Sequence, residues 1–348
     1  MRREEHQLYS RHREEPDDST RKLCADAPFH DPVTLRGPSM LRRNFLQSAF
    51  ALSLAPAGKL IGVPYLQQDI LPKTDTTRDF DFVYFTDTHL QPELGAAQGC
   101  AKCFHQINEA HPEFCIAGGD QVFDVCEQGL DRAHRLFKLY KQTESELNGK
   151  VYHVVGNHDV VGINQRSPVE PGDLEYGKKL YEDNFGKRYY SFDYKGWHFI
   201  VLDSIGIEYY KIFHPHFDGA QLGWLKDDLA TTPATTPVIV VTHVPIASVL
   251  GSLSSEDGPG PIVSNAYEVH RLLAGHNVKL VLQGHLHVWE RSHYAGTDYI
   301  IGGAVCGEWW KGKMEDGSSE GYTLCQVRGG EVFTSYVTYP WRAADHTS

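Results

Sequence analysis

The sequence predicts an α/β domain with mixed β-sheets. Three observations lead there. From residue 81 onward short apolar runs alternate with stretches of helical period, residues 299–337 read almost entirely as strands, and five of the apolar runs end on a polar motif. Composition agrees: 41% of the 348 residues are hydrophobic and 22% charged, the balance of a soluble globular chain. No run approaches the ~18–20 apolar residues of a membrane span.

Residues 82–86 are the first predicted strand and 97–110 the first helix. Inside that helix Cys100, Cys103, Phe104 and Ile107 recur at i, i+3, i+4 and i+7, the stripe an amphipathic helix buries. The Cys100-x-x-Cys103 pair is therefore read as core packing, not as a redox or metal motif. Residues 114–117 form a second strand, followed by a helix over 129–147 that stops at Asn148-Gly149. Residues 151–155 form a third strand. The segments 189–194 and 197–203, joined at Lys195-Gly196, read as a hairpin. Asp218 with Gln221 three residues on is a capping-box signal for the helix carrying Leu222, Leu225 and Leu229. Residues 238–242 and 279–282 are further buried strands. With no internal repeat and no second linker, residues 81–348 are read as one domain.

The N-terminal part reads differently. Residues 1–39 are polar, charged and proline-dotted, with no sustained period, and are taken as a disordered or wrongly assigned upstream segment. Residues 40–57 open with Met40-Leu41-Arg42-Arg43-Asn44-Phe45-Leu46, continue through a short apolar stretch and end on Ala55-Pro56-Ala57. That is the layout of a secretory signal. Its Arg-Arg-x-Phe-Leu core resembles the twin-arginine class, which implies the twin-arginine export machinery as a partner and a periplasmic or extracellular location in a bacterium. On this reading Met40 is the initiator and residues 58–80 are a linker. Removing Cys24 with the signal leaves six of the seven cysteines, and an exported protein can form disulfides. Pairing among Cys115, Cys126, Cys306 and Cys325 stays open.

The chemistry sits at the strand ends. Asp87-Thr88-His89 follows the first strand, Gly118-Gly119-Asp120 the second, and Gly156-Asn157-His158-Asp159 the third. His243 follows 238–242, and Gly284-His285-Leu286-His287 follows 279–282. Each piece alone is weak. Asp-x-His is more often a turn, and His214-Pro215-His216, read as loop residues, repeats the spacing of the last motif. Their conjunction is not weak, because open α/β sheets deliver ligand-binding residues to one rim at the carboxyl ends of their strands. Setting His158 and Asp159 aside, the rim offers two Asp, one Asn and four His. Imidazole with carboxylate suits zinc, iron, manganese or nickel. Seven such ligands are too many for one ion and about right for two sharing a carboxylate, an arrangement that displaces phosphate-ester oxygens in line. The net charge of −12 disfavours a nucleic-acid polymer as substrate, leaving a small phosphorylated molecule.

These motifs resemble the signature of the calcineurin-like metallophosphoesterase superfamily over roughly residues 82–290. The resemblance implies two mixed β-sheets packed as a sandwich between helices, a four-layer αββα catalytic domain over 81–348. It implies that Asp87, His89 and His287 hold one ion and Asn157, His243 and His285 the other, with Asp120 bridging. The ions would be manganese, iron or zinc. It implies a metal-bridging hydroxide as nucleophile, with His158 facing the scissile phosphate as the catalytic histidine and Asp159 or Asp124 orienting it.

Purple acid phosphatases resemble this layout too, but carry Asp-x-Gly in the first motif and a tyrosine ligand three residues after the bridging Asp. Here those positions are His89 and Phe123. The chain looks more like the diesterase-rich groups, so a phosphodiesterase is expected. The alternatives are a phosphomonoesterase or pyrophosphatase-type hydrolase on the same site, or a non-catalytic exported metal-binding protein. Two segments are candidates for substrate contact. Residues 245–264 form a possible lid, and Glu308-Trp309-Trp310-Lys311, read as strand, would turn one tryptophan toward the substrate or pack both at a sheet edge.

Overall fold

The computed structural model describes residues 78–208, 211–253, 261–314 and 317–341. The upstream segment, the signal and residues 58–77 of the linker lie outside the described residues, as do 254–260 of the lid candidate. From the N-terminal side the elements are β1 (Phe80–Phe85), α1 (Ala96–Glu109), β2 (Phe114–Ala117), α2 (Leu130–Glu144), β3 (Lys150–His153), α3 (Lys179–Phe185), β4 (Tyr190–Tyr194), β5 (Trp197–Val201), β6 (Ile205–Glu208) and β7 (Ile212–Pro215). Then follow α4 (Gly219–Thr231), β8 (Pro237–Val241), α5 (Val249–Leu253), α6 (Ala266–Leu273), β9 (Asn277–Gln283), β10 (Trp289–Tyr294), β11 (Thr297–Gly302), β12 (Gly321–Arg328) and β13 (Glu331–Thr338).

Two large sheets result. One has the order β13-β12-β1-β2-β3, the other β10-β11-β9-β8-β5-β4, and β6 with β7 makes a separate hairpin. Both are mixed: β1, β2 and β3 run parallel with β12 antiparallel at one side, and β5, β8, β9 and β11 run parallel between antiparallel edge strands.

Strand alternation builds the layers. Phe80, Phe82 and Tyr84 of β1 and Phe114 of β2 meet Phe199 of β5, Ile239 of β8 and Leu280 of β9 between the sheets. Phe82 and Phe114 stack at 5.2 Å, and Phe199 stands edge-on to both at 5.6 Å. Burying each such ring contributes about 1.5–3 kcal/mol, large against a net domain stability of about 5–15 kcal/mol. The alternate residues Val83 and Phe85 face outward onto α1 and α2, and Ile200 and Val240 face α4 and α6. This is the expected four-layer sandwich.

Cys100, Cys103, Phe104 and Ile107 are all buried on α1, and the six described cysteines are buried and unpaired. Asp218 caps α4, its side chain accepting from Gln221 N–H. The reciprocal half of the predicted capping box is missing. Gln221 instead turns inward, accepting from Asp203 N–H and donating to Asp203 O.

Candidate metal centre

The loops that follow β1, β2 and β3 in one sheet, and β8 and β9 in the other, converge on one rim. Their backbone is unusual. Asp87, His89, Asp120, His285 and His287 all have left-handed φ, between 37° and 70°, which costs roughly 1–2 kcal/mol per non-glycine residue. Such strain persists where surrounding structure over-determines it, and it clusters at functional sites. Here each left-handed residue turns its side chain into the cluster. Gly156 and Gly284 make the close approach possible. A Cβ on Gly156 would stand 2.2 Å from Asp120 Oδ1, and one on Gly284 would stand 2.7 Å from Asp87 Oδ2.

Three side chains form one triangle. Nε2 of His89 and of His287 are 3.0 Å apart, and they lie 3.7 and 3.4 Å from Asp87 Oδ1. Asp87 Oδ2 accepts from Thr86 Oγ1, and the His285 N–H is shared between Oδ2 at 3.1 Å and Oδ1 at 3.2 Å. Asp120, His243 and His285 form a second group. Asp120 Oδ2 belongs to both, 3.5 Å from His89 Nε2 and 3.1 Å from His243 Nε2, while Oδ1 is held by the His158 N–H at 2.8 Å.

Backbone carbonyls set the histidine tautomers. Nδ1 of His243 faces Gly118 O at 3.0 Å, and Nδ1 of His287 faces Gly307 O at 2.7 Å. A carbonyl only accepts, so Nδ1 carries a proton and Nε2 is the atom turned to the centre, as in metal-binding histidines. Oδ1 of Asn157, on the 3-10 turn Asn157–Asp159, is buried without a hydrogen-bond partner, and Nε2 of His243 is buried facing Asp120 Oδ2 at 3.1 Å. Leaving such an oxygen unsatisfied costs about 1–3 kcal/mol. An orphaned oxygen and imidazole nitrogens around a shared carboxylate fit a pair of cations.

Electrostatics points the same way. Burial alone would raise the Asp87 and Asp120 carboxyls, yet His243, with His287 beside Asp87 and His158 beside Asp120, holds both below the usual carboxylate range. Burial disfavours a charged His243, but Asp120 and Asp87 outweigh it and raise its pKa to about 9. His287 is raised likewise against burial, by Cys306 and Asp87. His158 goes down to about 3 and His285 to about 4, both chiefly from burial. Protons are thus held where cations would otherwise neutralise the carboxylates.

His158 adjoins the cluster, its ring edge-on to His89 at 4.8 Å. Of its two candidate orienting groups, Asp159 is excluded. It is fully buried, and its oxygens accept from Val122 N–H and Gly156 N–H, tying the second motif to the third. Asp124 Oδ1 approaches His158 Nδ1 at 3.7 Å and accepts from Cys126 Sγ at 3.1 Å. His214 and His216 stay outside the centre, bonded to Ser264 Oγ and His214 O.

The segment Glu308–Lys311 is not the predicted strand but a turn in which Trp309 and Trp310 both have left-handed φ. The tryptophans do face opposite ways. Trp310 is buried and donates to Thr88 O and His89 O, and Trp309 lies over the centre with its ring 4.0 Å from that of His89 and 5.0 Å from that of His287. In the lid candidate, α5 is tied down by Glu290, which accepts from Ser248 Oγ, Val249 N–H and Leu250 N–H. The Gly307 carbonyl and Cys306, whose sulfur is 3.8 Å from His287 Nδ1, carried no signal in the sequence, because they reach the centre from a loop far down the chain.

Known proteins resemble the chain in sequence and in fold. Residues 80–289 match the family model of the calcineurin-like phosphoesterases. A cAMP/cGMP dual specificity phosphodiesterase of Mycobacterium tuberculosis is 24% identical over 238 residues, 66% of this chain and 68% of that protein. Purple acid phosphatase 23 of Arabidopsis thaliana is 34% identical over 144 residues, 40% of this chain and 28% of that protein. Among solved structures, a dimetal phosphatase from Danio rerio superposes with a TM-score of 0.51 at 17% identity, covering 75% of this chain and 99% of its own. That likeness speaks to the fold.

Proposed function

Given that the chain belongs to the calcineurin-like phosphoesterase family and is a metal-dependent phosphoester hydrolase with a dinuclear site, we propose that it is a phosphodiesterase acting on a small phosphorylated molecule. The observation that carries this reading is the first motif. His89, not glycine, reaches Asp120 Oδ2 at 3.5 Å, and Phe123, which offers no ligand atom, occupies the position of a purple acid phosphatase tyrosine. The phosphodiesterase relative supports it as well.

In this reading Asp87, His89 and His287 would hold one ion and Asn157, His243 and His285 the other, with Asp120 shared between them. Manganese, iron and zinc suit the mixed nitrogen and oxygen donors. When bound, the ions supply positive charge to the transferring phosphoryl group and lower the pKa of water at the centre. The chain's own residues do the rest. The His158 N–H fixes Asp120 Oδ1, which leaves Oδ2 for the ions. The His158 ring turns Nδ1 toward Asp124 Oδ1 at 3.7 Å, and its Nε2 would donate to an ester oxygen only when it carries a proton, as imidazolium or as the Nε2–H tautomer. Comparing bis(p-nitrophenyl) phosphate with p-nitrophenyl phosphate, on stripped and metal-reconstituted protein, tests the proposal. Faster diester cleavage that needs metal and disappears in Asn157→Ala is the expected result; preferential monoester cleavage would reject the diesterase reading.

We also propose that residues 40–57 are a twin-arginine signal starting at Met40 and that the protein is exported from a bacterial cell. The support is the Arg42-Arg43-Asn44-Phe45-Leu46 core with its Ala55-Pro56-Ala57 end. N-terminal sequencing of the native product is expected to begin after Ala57, and a product that retains residues 2–39 would contradict it.

A further inference from the structure

A cavity of about 340 Å³ opens beside the metal centre. It is near the lower end of the ~300–1,000 Å³ typical of small-ligand pockets, room for one ring system. Leu94, Phe123 and Trp309 give it an apolar wall, His158 joins it to the centre, and Glu127 and Lys311 bring charge to it. Hydrolysis at the two ions uses none of these except His158.

Trp309 belongs to both cavity and centre. Its half-buried ring lies 5.1 Å from that of His158, and Phe123 stands edge-on to it at 5.8 Å. Its position is enforced from behind, because the adjacent Trp310 is buried and bonded to the backbone of the first motif. Left-handed backbone at two consecutive tryptophans is a costly way to build a turn that glycine could form without strain. The product of that strain is a π-face held beside the His89, His158 and His287 rings. Lys311 supplies a second cue. Among the described residues it has no ion-pair partner, whereas Glu127 is engaged by Arg166 and Asn164.

Resting on the phosphodiesterase reading above, we propose that this cavity is a subsite for a planar aromatic group carried by the ester. The ring stacks on the Trp309 indole, and Lys311 engages an acceptor or anionic group at the ring's edge. Stacking of a base on an aromatic side chain is worth a factor of about 5 to 150 in binding.

Two matched pairs of phosphonates, which the enzyme cannot hydrolyse, test this on the metal-loaded protein. The pairs are phenylphosphonate against methylphosphonate, and the phosphonate analogue of adenosine 5′-monophosphate against that of ribose 5-phosphate. Affinity is read by calorimetry as well as by inhibition, so a result against the subsite is separate from a failure to cleave diesters. The wild type is expected to bind an aromatic member roughly ten-fold or more tightly than its partner. A preference in the phenyl pair assigns a simple aryl group, and one confined to the adenosine pair assigns a nucleobase. Trp309→Ala should abolish the preference while methylphosphonate affinity and metal content stay unchanged, and Trp309→Phe should keep most of it. If Trp309→Ala fails to fold or loses metal, Trp309→Leu, which keeps bulk without a π-face, serves the same comparison. Lys311→Met should weaken the adenosine analogue alone. Equal affinity within both pairs for the wild type, or a Trp309 loss shared by both members of a pair, would overturn the proposal.

Discussion

Asp120 Oδ1 accepts the His158 N–H at 2.8 Å, and Oδ2 stands 3.5 Å from His89 and 3.1 Å from His243. Asp87 accepts from Thr86 Oγ1 at Oδ2 and from the His285 N–H at both oxygens, 3.1 and 3.2 Å, while its Oδ1 also faces His287 Nε2 at 3.4 Å. In both, outer hydrogen bonds fix the orientation of the carboxylate, and such outer partners typically govern metal affinity 10–100-fold. Gly284 shows how little slack exists. A methyl group there would meet Thr86 Oγ1 at 2.4 Å and Asp87 Oδ2 at 2.7 Å. Gly284→Ala is therefore expected to weaken metal binding roughly ten-fold or more, read by metal titration of the purified variant. Gly223→Ala, on α4 with nothing within 4 Å of its new Cβ, is the matched control and should leave metal binding unchanged.

At the scale of elements, α4 shows how a cap couples to pH. Burial would raise the Asp218 carboxyl, but the Gln221 N–H and Arg188 outweigh it and lower its pKa. A carboxyl depressed in the fold stabilises above its unfolded value, near ~3.9, and that contribution is lost as pH falls. Asp218→Ala should cost about 1 kcal/mol at pH 7 in denaturant titrations, and the deficit should shrink toward pH 3. Because Asp218 is partly exposed, screening trims the ionic share. The central strands and their polar ends were legible in the sequence, since a buried parallel strand is a continuous apolar run and the ligand motifs abut those runs. The hairpin of β6 and β7 was not: Ile205–Glu208 and Ile212–Pro215 are short and pair only with each other. Gln221 and Asp159 illustrate the same limit at the caps. Their side chains satisfy distant backbone groups, and only tertiary structure decides which partner prevails. The tryptophan turn was misjudged as strand because left-handed φ at Trp309 and Trp310 contradicts local propensity.

Over the whole molecule, the centre joins the two sheets. Asp87, His89, Asp120 and Asn157 follow strands of the β1 sheet, and His243, His285 and His287 follow strands of the other. Ions held between them would tie the two sheets together at the rim, where Asn157 Oδ1 and His243 Nε2 are buried. Ligand that binds only the native state at 100 times its Kd stabilises by about 2.7 kcal/mol, so chelation should lower Tm by several degrees, measured by calorimetry at constant pH. The central claim is that these seven side chains hold two ions. Elemental analysis of reconstituted protein tests it most directly. The account predicts two equivalents of metal per chain, falling to one in Asn157→Ala/His243→Ala. A single ion or none in the wild type, or two ions retained by the double variant, would contradict it.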